Sequence, residues 1–171
     1  MITVIVLDCN DFSQSFYNRM IRRLQFHMVT CTCGKAGGLI LYGHYVRNVK
    51  FDARLMPLSI QRVFCKECGH THALIPSSIV PYSQVPLTDH KAIICCCQHR
   101  QSFQHILNRN ALIDDCNARY IFRQYRKHWE QRLLSIGLTP GDDLVAPCFS
   151  FYSRQFMQIH RTRNILFSPP T

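Results

Sequence analysis

Four cysteines occur in two close pairs, each followed by a glycine: Cys31-Thr32-Cys33-Gly34 and Cys65-Lys66-Glu67-Cys68-Gly69. Zinc favours four tetrahedral ligands and binds thiolate sulfur well. Two hairpin tips can each supply half of such a tetrahedron. The first pair has one intervening residue, but residues i and i+2 of an extended segment share a face, so both sulfurs can reach one ion. The sequence therefore predicts one structural zinc ion, bound by Cys31, Cys33, Cys65 and Cys68.

The short first pair leaves the ligand set partly open, and a nearby histidine is the alternative, taken from His27, His44, His70 and His72. A catalytic zinc ion is disfavoured, because four thiolates close the coordination sphere. The run Cys95-Cys96-Cys97 is no second site, because neighbouring residues of a helix point about 100° apart. We interpret these three as small apolar core residues, together with Cys9, Cys116 and Cys148.

The elements around the cysteines predict an α+β fold. Residues 2–7 form an apolar, β-branched strand, and a helix follows from Ser13 to about Phe26, capped by Asn10 or Asp11. Glycines separate three strand-like segments, residues 39–42, 45–49 and 60–64, in the manner of short β-hairpins. Residues 1–80 are thus expected to combine an N-terminal strand and helix with a zinc ribbon. Whether that strand joins the ribbon's sheet is left open.

Prolines at 76, 81 and 86 predict an extended linker over residues 76–87. A helical half then follows. One helix, capped by Thr88 or Asp89, reaches about His99, a second spans residues 103–108 after Ser102, and a third runs from about residue 114 to 135. We expect residues 88–136 to form a helix-turn-helix-like region. Residues 137–171 form a C-terminal tail, with a short helix over residues 152–159.

The third helix is rich in arginine. Arg119, Arg123 and Arg126 recur at spacings of four and three, so they line one face. Such a helix fits the DNA major groove, where arginine contacts guanine or phosphate. The predicted nucleic-acid contacts are Arg119, Arg123, Gln124, Arg126 and Lys127 on this helix, and Arg47, Lys50 and Arg62 on the ribbon. The alternative is a solvated basic face of an amphipathic helix.

The charge balance supports an anionic partner. The 171 residues contain 20 lysines and arginines against 10 acidic residues, a net charge of +10, and nucleic acid is the commonest partner of so basic a chain. The apolar N-terminus is too short for a signal peptide and has no basic segment before it. Neither is there an apolar run of the ~20 residues that a membrane span needs. We therefore expect a reducing, cytoplasmic environment.

Three motifs in this order resemble the zinc ribbon at the front of many bacterial insertion-sequence transposases: Cys31-x-Cys33-Gly34, Gly43-His44-Tyr45-x-Arg47 and Arg62-Val63-x-Cys65-x-x-Cys68-Gly69-x-Thr71-His72. In those proteins a helix-turn-helix follows the ribbon. Residues 71–76, Pro81-Tyr82 and residues 153–159 are closer to a bacterial family of small proteins with a domain of unknown function. The resemblance implies a zinc-ribbon fold, DNA as partner and work alongside a separate transposase or recombinase.

These observations predict a zinc-containing DNA-binding protein, mobile-element-associated or regulatory, without a nuclease domain of its own. The ten acidic residues do not follow the strand series that a two-metal nuclease needs. Cys97 and His99 are close in sequence, but no orienting third group accompanies them, so no enzyme is predicted. The alternative function is a protein-interaction module that binds an acidic partner through its zinc ribbon.

Overall fold

The computed structural model describes residues 1–6, 13–160 and 162–169 and has an α+β fold. A five-stranded mixed sheet is accompanied by one helix near the N-terminus and five in the C-terminal half. In chain order the elements are β1 (Ile2–Val4), α1 (Gln14–Arg23), β2 (Leu39–Phe51), β3 (Arg54–Cys65), β4 (Thr71–Pro76), α2 (Leu87–Gln98), α3 (Gln104–Arg109), α4 (Asp115–His128), α5 (Glu130–Ser135), α6 (Val145–Tyr152) and β5 (Ile165–Phe167).

The sheet joins both ends of the chain to the hairpins. Its strand order is β2-β3-β4-β1-β5. Strands β2, β3 and β4 are antiparallel neighbours, whereas β1 runs parallel to both β4 and β5. The N-terminal strand therefore does enter the sheet, and it ends at Val4, earlier than predicted. Strand β5 was not predicted, because its three residues carry too short a pattern to stand out locally.

Strands β2 and β3 form one long hairpin. The segments 39–42 and 45–49, predicted as separate strands, are one strand with an irregularity between Leu41 and Gly43. Gly43 has φ of 123°, in the region that favours glycine. The turn residues Asp52 and Ala53 both have positive φ, which matches the twist of a tight hairpin.

Helix α1 lies against β3. Its cap is Ser13, whose side chain accepts a hydrogen bond from the backbone N–H of Phe16. The predicted caps, Asn10 and Asp11, lie outside the described residues. Tyr17 is buried, donates its hydroxyl proton to the carbonyl oxygen of Leu74 and accepts from the N–H of Gln61, each at 2.9 Å. Tyr17 therefore fixes the helix on strands β3 and β4. The helix ends at Arg23, before the predicted limit.

The helical half departs from the predicted boundaries in three places. Helix α2 is capped by Pro86 rather than by Thr88 or Asp89; Asp89 is buried and forms an ion pair with Arg109. The helix predicted over residues 114–135 is two helices, because fully buried Trp129 leaves helical backbone geometry with φ of −125°. The short helix expected over residues 152–159 lies earlier, as α6.

The core of the helical half is apolar and aromatic. Trp129, Tyr125 and Phe156 are almost completely buried, and their rings meet edge to face. Helix α4 packs mainly against α2. None of the helices in the described ranges combines the length and hydrophobicity needed to cross a membrane.

Buried amides tie the C-terminal segment to the sheet. The Gln155 side chain donates to the carbonyl oxygens of Ser77 and Ile79, at 2.6 and 2.9 Å. Asn164 donates to the hydroxyl of Thr3 at 2.9 Å. These groups lie away from solvent, so their hydrogen bonds are needed to offset desolvation. Through Gln155, the segment of residues 153–159 therefore holds the C-terminal part of the chain against the residues that follow β4.

Candidate metal centre and cationic surface

The two cysteine pairs lie in tight turns at one end of the sheet. The N–H of Cys31 donates to the carbonyl oxygen of Lys35, and that of Gly34 donates back to Cys31. In the second turn the N–H of Gly69 donates to Cys65. Gly34 and Gly69 have φ of 90° and 72°, a region that a residue with a Cβ enters at a cost. The glycine after each pair lets the backbone fold round the sulfur atoms.

The four sulfur atoms are arranged as a metal site requires. They all lie within 4.8 Å of one another. Sγ of Cys31 is 3.6 Å from Sγ of Cys68, and Sγ of Cys33 is 4.0 Å from Sγ of Cys65. A tetrahedron with zinc–sulfur bonds of about 2.3 Å has edges of about 3.8 Å. The cluster could therefore hold one metal ion, with ligand atoms from both turns.

The surroundings of the thiols favour a bound cation. Burial raises the pKa of the Cys31 thiol to about 12, so its ionised form needs a positive charge close by. The backbone N–H of Cys68 and that of Glu67 lower the pKa of the Cys65 thiol to about 7. The backbone of the second turn thus stabilises the Cys65 thiolate, whereas a Cys31 thiolate would need a cation such as a bound metal ion beside it.

Of the four alternative histidine ligands, His72 reaches the cluster. Its Nε2 atom is 3.2 Å from Sγ of Cys31, and the ring is buried. Burial lowers the pKa of His72 to about 4, so the ring is neutral near pH 7 and can donate a hydrogen bond to the sulfur from Nε2. His27, His44 and His70 are exposed. The mutual cluster consists of the four cysteines, with His72 beside it.

The remaining cysteines were predicted to be core residues, and three of the five in the described ranges are. Cys95 is only half-buried and is not part of the core cluster. Cys96 and Cys148 are buried in the helical core, and Cys97 packs against it. Cys116 is exposed, so that prediction was wrong for this residue, which lies on the solvent side of α4. Cys9 lies outside the described residues.

The three cations of β2 and β3 that were predicted to contact phosphate form hydrogen bonds within the protein. Nη2 of Arg47 donates to the carbonyl oxygens of Val80 and Ser83, at 2.7 and 2.6 Å. This ties β2 to the loop before α2 and leaves the guanidinium little freedom to meet a phosphate. Nζ of Lys50 donates to Oδ1 of Asn117 at 2.7 Å. Arg62 donates to the Thr71 hydroxyl and lies over the Tyr42 ring.

The predicted cations of α4 share one exposed face. Arg119, Arg123, Arg126 and Lys127 are exposed, whereas Ala118, Ile121 and Tyr125 on the opposite side are buried. The four cations surround an open depression of about 550 Å³, which also includes Cys97. Concentrated positive charge at such a depression attracts anions.

Local contacts hold this cationic face in place. Arg119 pairs with Asp115 at 2.5 Å, and Arg126 lies 3.6 Å from Glu130. The guanidinium of Arg123 stands over the Tyr120 ring, 5.5 Å from its centre. Each contact spans three or four residues of α4 or its continuation, where side chains are neighbours on a helix.

A further cavity, which sequence reasoning missed, lies on the flank of α4. It has a volume of about 270 Å³ and is lined by residues of β2, the 80–85 loop, α2, α4 and the segment after α6. Its lining includes Lys50, Asn117 and Gln124. A local sequence pattern gives no sign of it, because five separate segments build it.

Comparison with protein families finds one match. Residues 30–98 match a domain of unknown function (DUF6431), a stretch that begins before the first cysteine pair and ends with α2. A search of curated proteins gave no match, and neither did a search of solved structures. The part of the chain similar to this domain therefore contains all four clustered cysteines, while the cationic face of α4 lies beyond it.

Proposed function

We propose that this chain is a DNA-binding protein whose ribbon is held together by one structural zinc ion. The observation that carries the proposal is the row of four exposed cations on one face of α4. A helix fits the major groove, and its arginines can contact phosphate or guanine. The net charge of +10 adds a long-range attraction.

The donor set supports zinc as the metal. Four sulfur ligands in a tetrahedron are typical of zinc or of iron–sulfur centres. The turn Cys-x-x-Cys-Gly matches the ligand spacing of zinc ribbons, and Cys-x-Cys-Gly is one residue shorter; neither has ferredoxin-like spacing. Four thiolates fill the coordination sphere, so the proposed role is structural: the ion joins the turn before β2 to the turn after β3.

Helix α4 is the proposed recognition helix. In the helix-turn-helix interpretation α3 is the first helix and residues 110–114 are the turn. Because α4 packs mainly against α2, α2 is its principal support. The proposed contacts are Arg119, Arg123, Gln124, Arg126 and Lys127, with Lys50 and Arg62 on the ribbon. Arg47 is left out because two carbonyl oxygens occupy its guanidinium.

The biological setting follows from the resemblance to transposase ribbons. We propose that the chain marks DNA for a mobile element or acts as a regulator, and that cleavage is performed by a separate transposase or recombinase. Its four thiols stay available for metal in a reducing compartment, so we propose a cytoplasmic location.

The test is a salt series with the zinc-loaded chain and a fluorescent 20-base-pair duplex, followed by anisotropy. Each lost phosphate contact lowers the slope of log affinity against log salt by about 0.9. The variant R123A/K127A is expected to lower it by roughly 1.8. The matched control is R22A/R23A, which removes two exposed arginines from α1 and should change the slope less. Equal effects of both variants would indicate attraction by net charge alone.

A second candidate function, a protein-interaction module for an acidic partner, is favoured by the surface of β2. This strand is at the edge of the sheet, and its Leu41, Tyr42 and Val46 side chains are exposed. Edge strands with exposed apolar residues can pair with another chain. In this case, binding of the partner would persist in excess DNA competitor, and V46D would abolish it while R123A/K127A would not.

A further inference from the structure

The cavity on the flank of α4 lies immediately next to the cationic face. At about 100° per residue, Tyr120, Gln124 and Asn117 occupy the arc that follows Arg123 and Lys127. All three line the cavity. Arg123 belongs to the cationic face and stands over the ring of Tyr120. A strand whose phosphates lie on the cations would therefore run past the mouth of the cavity.

The mouth of the cavity is aromatic. Tyr120 and Tyr82 line it and are 46% and 56% exposed. Tyr82 also has φ of 64°, a backbone conformation that is unfavourable for a bulky residue and that clusters at binding sites. Nucleobases of any sequence stack on such rings. The mouth therefore offers flat surfaces to a flat ligand.

The interior of the cavity mixes apolar surface with a few polar groups. Ile121, Met157 and His90 lie deep in it and are buried. His90 is 4% exposed; its Nε2 is 2.9 Å from the Ser83 hydroxyl, and its Nδ1 has no hydrogen-bond partner among the described residues. Gln124 and Asn117 carry amides, which can pair with the edge of a base. A buried polar atom without a partner is uncommon, and a water molecule or a ligand would satisfy it.

The size of the cavity limits what it can take. Its volume of about 270 Å³ is just below the range of roughly 300–1,000 Å³ for sites of drug-sized molecules. One aromatic ring system fits this volume better than a whole nucleotide. The sugar and phosphate of a bound residue would remain outside, near Lys50 and Arg123.

We propose that this cavity receives a single unpaired nucleobase of the nucleic acid bound along α4. This inference rests on the proposed DNA-binding function and adds to it a preference for unpaired positions. Tyr120 and Tyr82 would stack on the base, and Gln124 and Asn117 would contact its edge. Proteins that accept an extruded base use the same combination of stacking and edge contacts. The preference would direct the chain to bulged, melted or single-stranded sites.

The experiment compares three DNA probes with the zinc-loaded full chain: a paired 20-base-pair duplex, the same duplex with one bulged adenine, and the same bulge with an abasic residue. We expect the adenine bulge to bind about five- to tenfold more tightly than the paired duplex. The abasic bulge should lose this gain, because bending at the bulge remains while the base is gone.

Two variants locate the effect. Y120A and, separately, Y82A should remove the preference for the adenine bulge and leave the affinity for the paired duplex within about twofold, because both rings line the cavity and neither is a proposed duplex contact. The matched aromatic control is F151A, because Phe151 is 64% exposed and does not line the cavity; it should keep the preference. R123A/K127A should weaken all three complexes together.

The outcomes separate the two proposals. Tight binding of all three probes with equal affinity would overturn the nucleobase cavity and leave the DNA-binding proposal standing. A preference that survives in both Y120A and Y82A would also overturn the cavity. Failure of every probe to bind would overturn the DNA-binding proposal together with the inference that rests on it.

Discussion

The ribbon (residues 30–76, with both cysteine turns) and the helical half (residues 87–157) are stabilised by different interactions. In the ribbon, two turns meet at four sulfur atoms, and the buried Cys31 thiol needs a neighbouring cation to ionise. In the helical half, Trp129, Tyr125 and Phe156 fill one continuous apolar core. A metal site depends on ligands and pH, whereas an apolar core depends on volume and fit. The two halves should therefore respond to different perturbations.

The largest expected effect is loss of a metal ligand. Cys65→Ser should reduce metal content from one ion per chain to none, because three sulfurs hold the ion far more weakly. The metal supplies about 10–16 kcal/mol in small zinc fingers; here the apolar cluster of β1, α1 and the sheet remains, so the loss of stability should be smaller. Native mass spectrometry measures the metal, and hydrogen exchange shows unfolding of residues 30–38 and 65–70.

The control for this variant is Cys116→Ser, because Cys116 is exposed on α4. It should keep both the metal and the exchange pattern. In Cys65→Ser the fluorescence of Trp129, the single tryptophan of the chain, should stay at its native position. A shift to the emission of the unfolded chain would show that the helical half depends on the metal, and would contradict the independence of the two halves.

The next effect is expected from truncation of the helical core. Trp129→Ala should lower the free energy of unfolding by about 3–5 kcal/mol, because the ring is fully buried and contacts Tyr152 and Phe156. Urea unfolding followed by circular dichroism measures the change. Leu134→Ala is the control; this side chain is 64% exposed, and its loss should change stability by less than about 0.5 kcal/mol. If Trp129→Ala also loses its metal, the two halves are not independent.

The smallest expected effect is a loss of stability of the helical half at acidic pH. Burial lowers the pKa of His90 to about 3, against an ordinary value near 6.5. Below pH 6.5 the unfolded chain binds a proton that the folded chain does not. The stability of the helical half should therefore be complete above pH 6.5 and fall by about 1.4 kcal/mol per pH unit below it, a loss of about 2 kcal/mol at pH 5.

Urea titrations at pH 7, 6 and 5, followed by Trp129 emission, measure this slope. His90→Gln should flatten it, since glutamine does not titrate. An equally steep slope in the variant would assign the acid sensitivity to other groups, foremost His72, whose pKa burial also lowers, and the thiols of the ribbon.

The sequence was most informative where the chemistry is local. The predicted ligands lie together because each turn brings its two cysteines close, and the positive φ at Gly34 and Gly69 explains why glycine follows each pair. The cationic face of α4 was equally readable, because helical periodicity alone decides which residues share a side. The chain was also predicted to be α+β, and it is.

The sequence was least informative where a residue's surroundings come from distant segments. Arg47 looked free, but the loop at Val80 and Ser83 occupies its guanidinium. Asp89 looked like a helix cap, but it is buried against Arg109. In both cases the partner is more than fifteen residues away. Composition and periodicity describe neighbours along the chain and do not identify such partners.

By itself, the sequence determined the four clustered cysteines, the hairpin between them and the arginine row of α4, because spacing along one element fixes each of them. Only the tertiary structure decided that β1 lies between β4 and β5, that Trp129 ends α4, and that a cavity forms beside Tyr120. Parallel pairing of β1 with β5 joins residues more than 160 positions apart. Such pairing depends on how whole elements pack, since no local pattern of three residues specifies its partner.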